Sequence, residues 1–87
     1  MNDALEHEVL ADMAKLEQTL TEDVTGDRAR AMLQYFDQVA QASEQMAQKA
    51  AHDAERQLAA QLQDGFRASQ RIVRHVWETL HASSLPA

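Results

Sequence analysis

Three residues near the end of the chain, His75, Glu78 and His81, are of the types that hold a metal ion or move a proton. Their spacing argues against that chemistry. Each step of three along an α-helix turns a side chain by about 300°, so the three fan out over a wide arc and do not converge on one ion. They read as solvated or capping side chains near a helix end. Neither the H-E-x-x-H pair of a zinc hydrolase nor the glutamate–histidine pairs of a di-iron bundle occur in the sequence. Ser43, Ser69, Ser83 and Ser84 stand outside any glycine-flanked nucleophile turn. With Gly26 and Gly65 as the only glycines, no loop is built to cradle a phosphate. The expectation is a protein without catalysis, metal or cofactor.

Arg67, Arg71 and Arg74 share one helical stripe, being spaced i, i+4 and i+7. Two readings of this stripe stay open. It docks an acidic partner, or it faces solvent and the chain's own acidic start. Residues 1–25 hold seven acids against Lys15 alone and so carry the whole net charge of −6, while residues 26–87 balance. An acidic arm on a neutral body does not suit a nucleic-acid partner, which needs a basic footprint. Trp77 and Tyr35 combine large area with a polar handle, as interface anchors do. For Trp77 a core role and a partner role are both open, whereas Phe36 reads as core. Met13, Met32 and Met46 read as adaptable core filler.

The elements that position these residues are helices. Alanine, glutamine, leucine, methionine, glutamate and arginine favour helix, and the single proline is Pro86. The expected fold class is all-α: an antiparallel helical hairpin with an additional N-terminal helix, two to three helices in one domain with coiled-coil-like packing. The first helix spans about 3–22. Asp3 and Glu6 form a capping box at its start, and Leu5, Val9, Met13, Leu16 and Leu20 make its apolar stripe. Val24-Thr25-Gly26-Asp27 breaks the pattern, with Gly26 suited to end one helix and Thr25 or Asp27 to cap the next.

A second helix runs from about 27 to 49 on a seam of Met32, Phe36, Val39, Ser43, Met46 and Ala50. Beyond Ala50 the register slips. Either one helix continues to Gly65, or the chain turns near 50–53 and a last helix, capped by Asp53, runs from about 53 to 82. The second reading is preferred because Leu58, Leu62, Gly65, Ser69, Ile72 and Val76 keep a three-four spacing straight through Gly65. Glycine and Ser69 would there be small residues that let two helix backbones come close. The hairpin core is therefore expected at Met32, Phe36, Val39, Met46, Leu58, Leu62, Ser69, Ile72 and Val76. A second apolar stripe, Phe66, Val73, Trp77 and Leu80, widens the apolar arc enough for a second neighbour. With Arg67, Arg71 and Arg74 it forms the expected partner-binding face. Residues 83–87 read as a frayed tail.

At 87 residues the chain buries only about 60% of the surface its unfolded form exposes, which leaves a thin stability margin. It has no cysteine to staple it. Met1 to Glu8 lacks a basic leader, and no apolar run nears the roughly 20 residues of a membrane span, so a cytoplasmic location is expected.

The string Ala68-Ser69-Gln70-Arg71-Ile72-Val73-Arg74-His75-Val76-Trp77-Glu78-Thr79-Leu80-His81, preceded by Leu58 to Leu62, resembles the last helix of the small needle-subunit co-chaperones of type III secretion, the YscE/EscE type. Leu16-Glu17, Leu20, the Asp23/Gly26 break and the Arg28–Leu33 helix start resemble that group too. The resemblance implies a cytoplasmic, non-catalytic helical hairpin. Its partners would be a tetratricopeptide-like co-chaperone and the needle subunit, which the two hold unpolymerised before export. Leu62, Phe66, Ser69, Ile72, Val73, Val76 and Trp77 would serve the seam and the partner face. The alternative is a self-associating structural bundle or a phasin-like amphipathic coat, compatible with the Ala/Gln-rich Ala47–Ala60 segment.

Overall fold

Two long stretches of strong helix formers, without an interior proline, become the two long helices of the fold. The computed structural model describes residues 3–86. Four helices follow one another: α1 (Asp3–Met13), α2 (Leu16–Glu22), α3 (Asp27–Lys49) and α4 (Asp53–His81). No strand occurs among the described residues. Phe36 meets Phe66, Leu33 meets Gln70 and Asp23 meets Trp77, so α4 runs back along α3 as an antiparallel hairpin. The long axis measures 45 Å. α1 packs on α3, and α2 reaches both α3 and α4, closing the open end of the hairpin.

The single first helix expected over 3–22 is two helices. The ladder breaks at Ala14–Lys15, where Lys15 takes φ −130° and ψ 44°. The Asp12 carbonyl oxygen accepts the Lys15 N–H at 3.2 Å and the Thr19 hydroxyl at 3.0 Å, which ties the start of α2 to the end of α1. The bend lets α1 lie along α3 while α2 turns onto α4, and Val9 and Leu20 are both fully buried in one cluster. Leu5 and Leu16 pack on it half-buried, while Met13 is exposed. Glu6, expected in a capping box with Asp3, hydrogen-bonds Tyr35 instead. Asp3 is the first residue of α1, and the position before it lies outside the described residues.

The cap of α3 comes from further back than the sequence suggested. Asp23 is buried, and its two carboxylate oxygens accept the backbone N–H of Arg28 at 3.1 Å and of Ala29 at 2.9 Å. These are orphan donors of the first helical turn, beside which a negative charge is also favoured. Thr25 accepts only a long bond from the Asp27 N–H, at 3.4 Å, and Asp27 pairs with Arg30. Gly26 does not end α2. It sits immediately before α3 with φ +83°, the left-handed region that glycine enters without cost.

The chain turns at residues 50–52, with Ala50 and His52 both extended. His52, not Asp53, takes the cap position, and its side chain makes no capping bond. Arg56 ties the turn down by pairing with Asp53 at 2.8 Å and donating to the Ala50 carbonyl at 3.4 Å. α4 then continues unbroken through Gly65 and ends where Ala82 adopts a left-handed conformation.

The tail expected to fray is strapped down. Leu85 is buried, its N–H donates to Glu78 Oε2 at 2.8 Å, and Arg30 donates to the Pro86 carbonyl at 3.3 Å. The core is Val9, Leu20, Ala29, Met32, Phe36, Val39, Val73, Trp77 and Leu85. Met32, Phe36 and Val39 of the expected seam are in it, with Ser43 buried beside them, its hydroxyl bonded to the Val39 carbonyl at 2.8 Å. The rest of the expected seam is not. Met46 (59%), Leu58 (59%), Leu62 (41%) and Ile72 (57%) are exposed, while Ser69 and Val76 are half-buried.

Candidate functional site

On α4 two apolar stripes lie side by side, their centres about 100° apart at 3.6 residues per turn. The hairpin buries the stripe that carries the aromatics. Val73 is 2% exposed and Trp77 3%, Phe66 is half-buried and stacked 6.3 Å from Phe36, and the Trp77 indole N–H donates to the Asp23 carbonyl at 2.7 Å. Aromatic side chains bring the largest buried area and a pair geometry worth about 0.5–1.5 kcal/mol beyond it, so they take the inside. The stripe expected to meet a partner is therefore turned inward. Phe66, Val73 and Trp77, assigned to a partner, face the chain's own helices, and of that stripe only Leu80 remains exposed.

What remains open is the stripe of Leu58, Leu62, Gly65 and Ile72, continued by Leu80, with Ser69 and Val76 half-buried along its edge and Val76 packed on the core. Its spacing of four and three residues is that of a coiled-coil seam. An ideal Cβ built on Gly65 meets nothing within 4 Å, so no neighbouring helix comes close there, contrary to the role expected for that glycine. The Ser69 hydroxyl bonds back to the Gly65 carbonyl at 3.0 Å, which withdraws its polarity from the stripe. The hairpin leaves this face without a cover along most of its length.

The arginine stripe divides. Arg67 bridges the hairpin, pairing with Asp37 at 2.7 Å and donating to Gln70 at 3.0 Å, and Gln70 in turn donates to the Leu33 carbonyl at 2.9 Å. Arg74 lies 3.9 Å from Glu78 on its own helix, and Arg71 is exposed and forms no ion pair among the described residues. None of the three meets the acidic α1, whose Asp12 sits 3.7 Å from Arg28. Of the residues first considered for metal chemistry, His75 is exposed and the other two are occupied otherwise. The His81 ring stacks on Trp77 at 4.3 Å, with Nε2 2.6 Å from the Leu20 carbonyl oxygen, and Glu78 holds the tail. No group of three or more metal-ligand side chains gathers among the described residues.

Sequence reasoning missed Asp23, Gln70 and Leu85. Asp23 carries a signal in retrospect, an Asx residue shortly before a glycine and a helix start. Leu85 carries only its being the single large apolar residue of the tail.

The family model described as type III secretion system regulatory protein HrpD6 matches residues 2–79. The chain belongs to that family. No curated protein and no solved structure matches it. Membership of the HrpD6 family places the chain in type III secretion, with a description that is regulatory. The family's match covers α1 through most of α4, including the exposed Leu58, Leu62 and Ile72. No helix among the described residues is long and apolar enough to cross a membrane.

Proposed function

We propose that the protein acts in type III secretion as a non-catalytic, helix-binding regulator. In the finer form of this reading it is a cytoplasmic co-chaperone that keeps a needle-type subunit soluble together with a tetratricopeptide-like protein. The observation that carries the proposal is the open apolar stripe on α4, in a chain whose family is one of type III secretion regulators. A needle-type subunit must be kept from polymerising, which means covering an amphipathic helix, and the stripe offers the matching face. Fully burying one leucine or isoleucine is worth about 1.5–3 kcal/mol, and Leu58 (59% exposed), Leu62 (41%) and Ile72 (57%) keep roughly half of that each to give to a docked helix. Arg71, exposed and without an ion pair among the described residues, biases the docked helix towards an acidic flank.

Affinity purification of the tagged protein from its native host tests this. A needle-like subunit and a tetratricopeptide-like protein should co-purify in stoichiometric amounts. Recovery of neither with folded protein, or of a stable large homo-oligomer alone, would contradict the co-chaperone reading.

A further inference from the structure

We propose that the C-terminal strap is the exchangeable occupant of a groove built to hold an extended Leu-Pro segment, and that such a segment of another protein takes the groove when the strap lets go.

The groove is in place without the strap. Its floor is Gly26, where a Cβ would stand 2.7 Å from Leu85 Cδ1, so the absent side chain leaves the seat of the leucine. Its two polar walls are held by groups outside the strap. Arg30 is fixed by Asp27 and by the Thr25 carbonyl at 3.1 Å, and Glu78 lies 3.9 Å from Arg74. From these positions Glu78 Oε2 accepts the Leu85 N–H at 2.8 Å, and Arg30 donates to the Pro86 carbonyl at 3.3 Å. Both bonds go to backbone groups, which any extended chain offers, and only the buried leucine is read by its side chain. Proline suits the next place. It has no N–H to leave unpaired, and it biases the residue before it towards the extended backbone.

The strap closes against a strained hinge. Ala82 takes φ +50° and is the one non-glycine residue in the left-handed region among the described residues. Glycine would take that conformation without the clash that a Cβ brings. One buried side chain and two hydrogen bonds are thus set against the hinge strain and the ordering of residues 83–86. A latch so balanced opens while the helices stay folded. Gly26, Arg30 and Glu78 fall inside the 2–79 stretch that the family model matches and the strap falls outside it, so groove and occupant are separable along the chain. None of these residues belongs to the exposed stripe of α4, and the exchange does not depend on what that stripe binds.

The strap's own sequence supplies the probe. The Asp23 carbonyl accepts both the Gly26 N–H at 3.2 Å and the Trp77 indole N–H at 2.7 Å, so the indole resonance reports on the groove floor. In the full chain carrying Leu85→Ser, the free peptide Ala-Ser-Ser-Leu-Pro-Ala, blocked at both ends, should shift that resonance saturably. Its Kd should be about 1 mM or below, because a short tether supplies a millimolar local concentration and the strap is closed at it. The wild-type chain should bind the peptide roughly tenfold more weakly, since its own strap competes. Ala82→Gly, which relieves the hinge, should weaken that binding further. A peptide with serine in place of leucine should not bind, and adding Arg30→Ala to the Leu85→Ser chain should lower the affinity several-fold. A measurement on the wild-type chain needs no variant: the Leu85 amide should exchange with solvent about a hundredfold faster than the Met32 amide, through an opening that leaves the core closed. A folded Leu85→Ser chain without a saturable response, equal affinity of variant and wild type, or a Leu85 amide that exchanges no faster than that of Met32 would overturn the proposal.

Discussion

Trp77 carries two bonds of the fold at once: its ring fills the core, and its N–H satisfies the Asp23 carbonyl. Trp77→Ala should cost about 3–5 kcal/mol, a large part of the stability of so small a domain, and should lower the melting temperature sharply. Trp77→Phe keeps most of the packing and removes one of two donors to that carbonyl, which still accepts the Gly26 N–H at 3.2 Å, so it should cost only about 0.5–1.5 kcal/mol beyond the lost area. The glycines should respond in opposite senses. Gly26→Ala forces a side chain into a left-handed backbone and against Leu85, whose Cδ1 lies 2.7 Å from the built Cβ, and should cost at least about 1–2 kcal/mol. Gly65→Ala, measured at high dilution, should stabilise by about 1 kcal/mol, since only helix propensity changes. Tyr35 is the residue whose titration the fold alters. Its phenol is pushed above 10.0 by burial first, then by the charge of Glu6 and its hydrogen bond to Glu6. The fold thus favours the neutral form. The stabilisation is present in full below pH 10.0 and is lost as pH rises through the raised folded value. As the only tyrosine it can be followed by absorbance. Glu6→Gln should bring its titration back towards 10.0, and Tyr35→Phe should flatten the alkaline limb of the stability curve. Two roles stay open for Trp77 in the sequence because periodicity places a residue on a face without saying what the face meets.

The helices themselves were legible. Three-four periodicity, the 24–27 break and the register slip near Ala50 carry enough information to mark out α3 and α4, even without glycine or proline in the turn. Two features were not legible. The break at Ala14–Lys15 leaves no composition signal, because it serves the need of α1 to follow α3 while α2 moves onto α4. The choice between the α4 stripes rests on how much area Phe66 and Trp77 bury against Phe36 and Asp23, a comparison that requires the neighbouring helix. At this scale the cap of α3 is the sensitive joint. Asp23→Ala should unpair the Arg28 and Ala29 amides and cost about 1–2 kcal/mol, read as a lower urea midpoint with an unchanged slope. Asp23→Asn, which keeps one acceptor oxygen, should lose less.

As a whole the molecule is a hairpin braced at one end and open along one side. The acidic α1–α2 arm and the Leu85 strap gather over the open end of α3 and α4, where Trp77, Leu20 and Asp23 meet. Away from that end, Met46, Leu58, Leu62 and Ile72 stay exposed. Stability is carried by the inner face of α4 and, on the proposed reading, recognition by the outer one, so substitutions should separate them. Core variants such as Trp77→Ala lose binding only by losing the fold, whereas outer-stripe variants keep the fold and lose the partner. The candidate site was half legible: the sequence picked out α4 as the helix with surplus apolar surface but expected it on Phe66, Val73, Trp77 and Leu80, of which the fold leaves only Leu80 exposed. The most direct measurement is affinity capture from the native host with the wild-type chain and a Leu62→Glu, Ile72→Glu double variant, both verified as folded by thermal melting. The account predicts that the wild-type chain captures its secretion partners and that the variant, melting within a few degrees of it, captures none. Equal capture by the two chains would contradict the assignment of the outer stripe of α4 as the docking face.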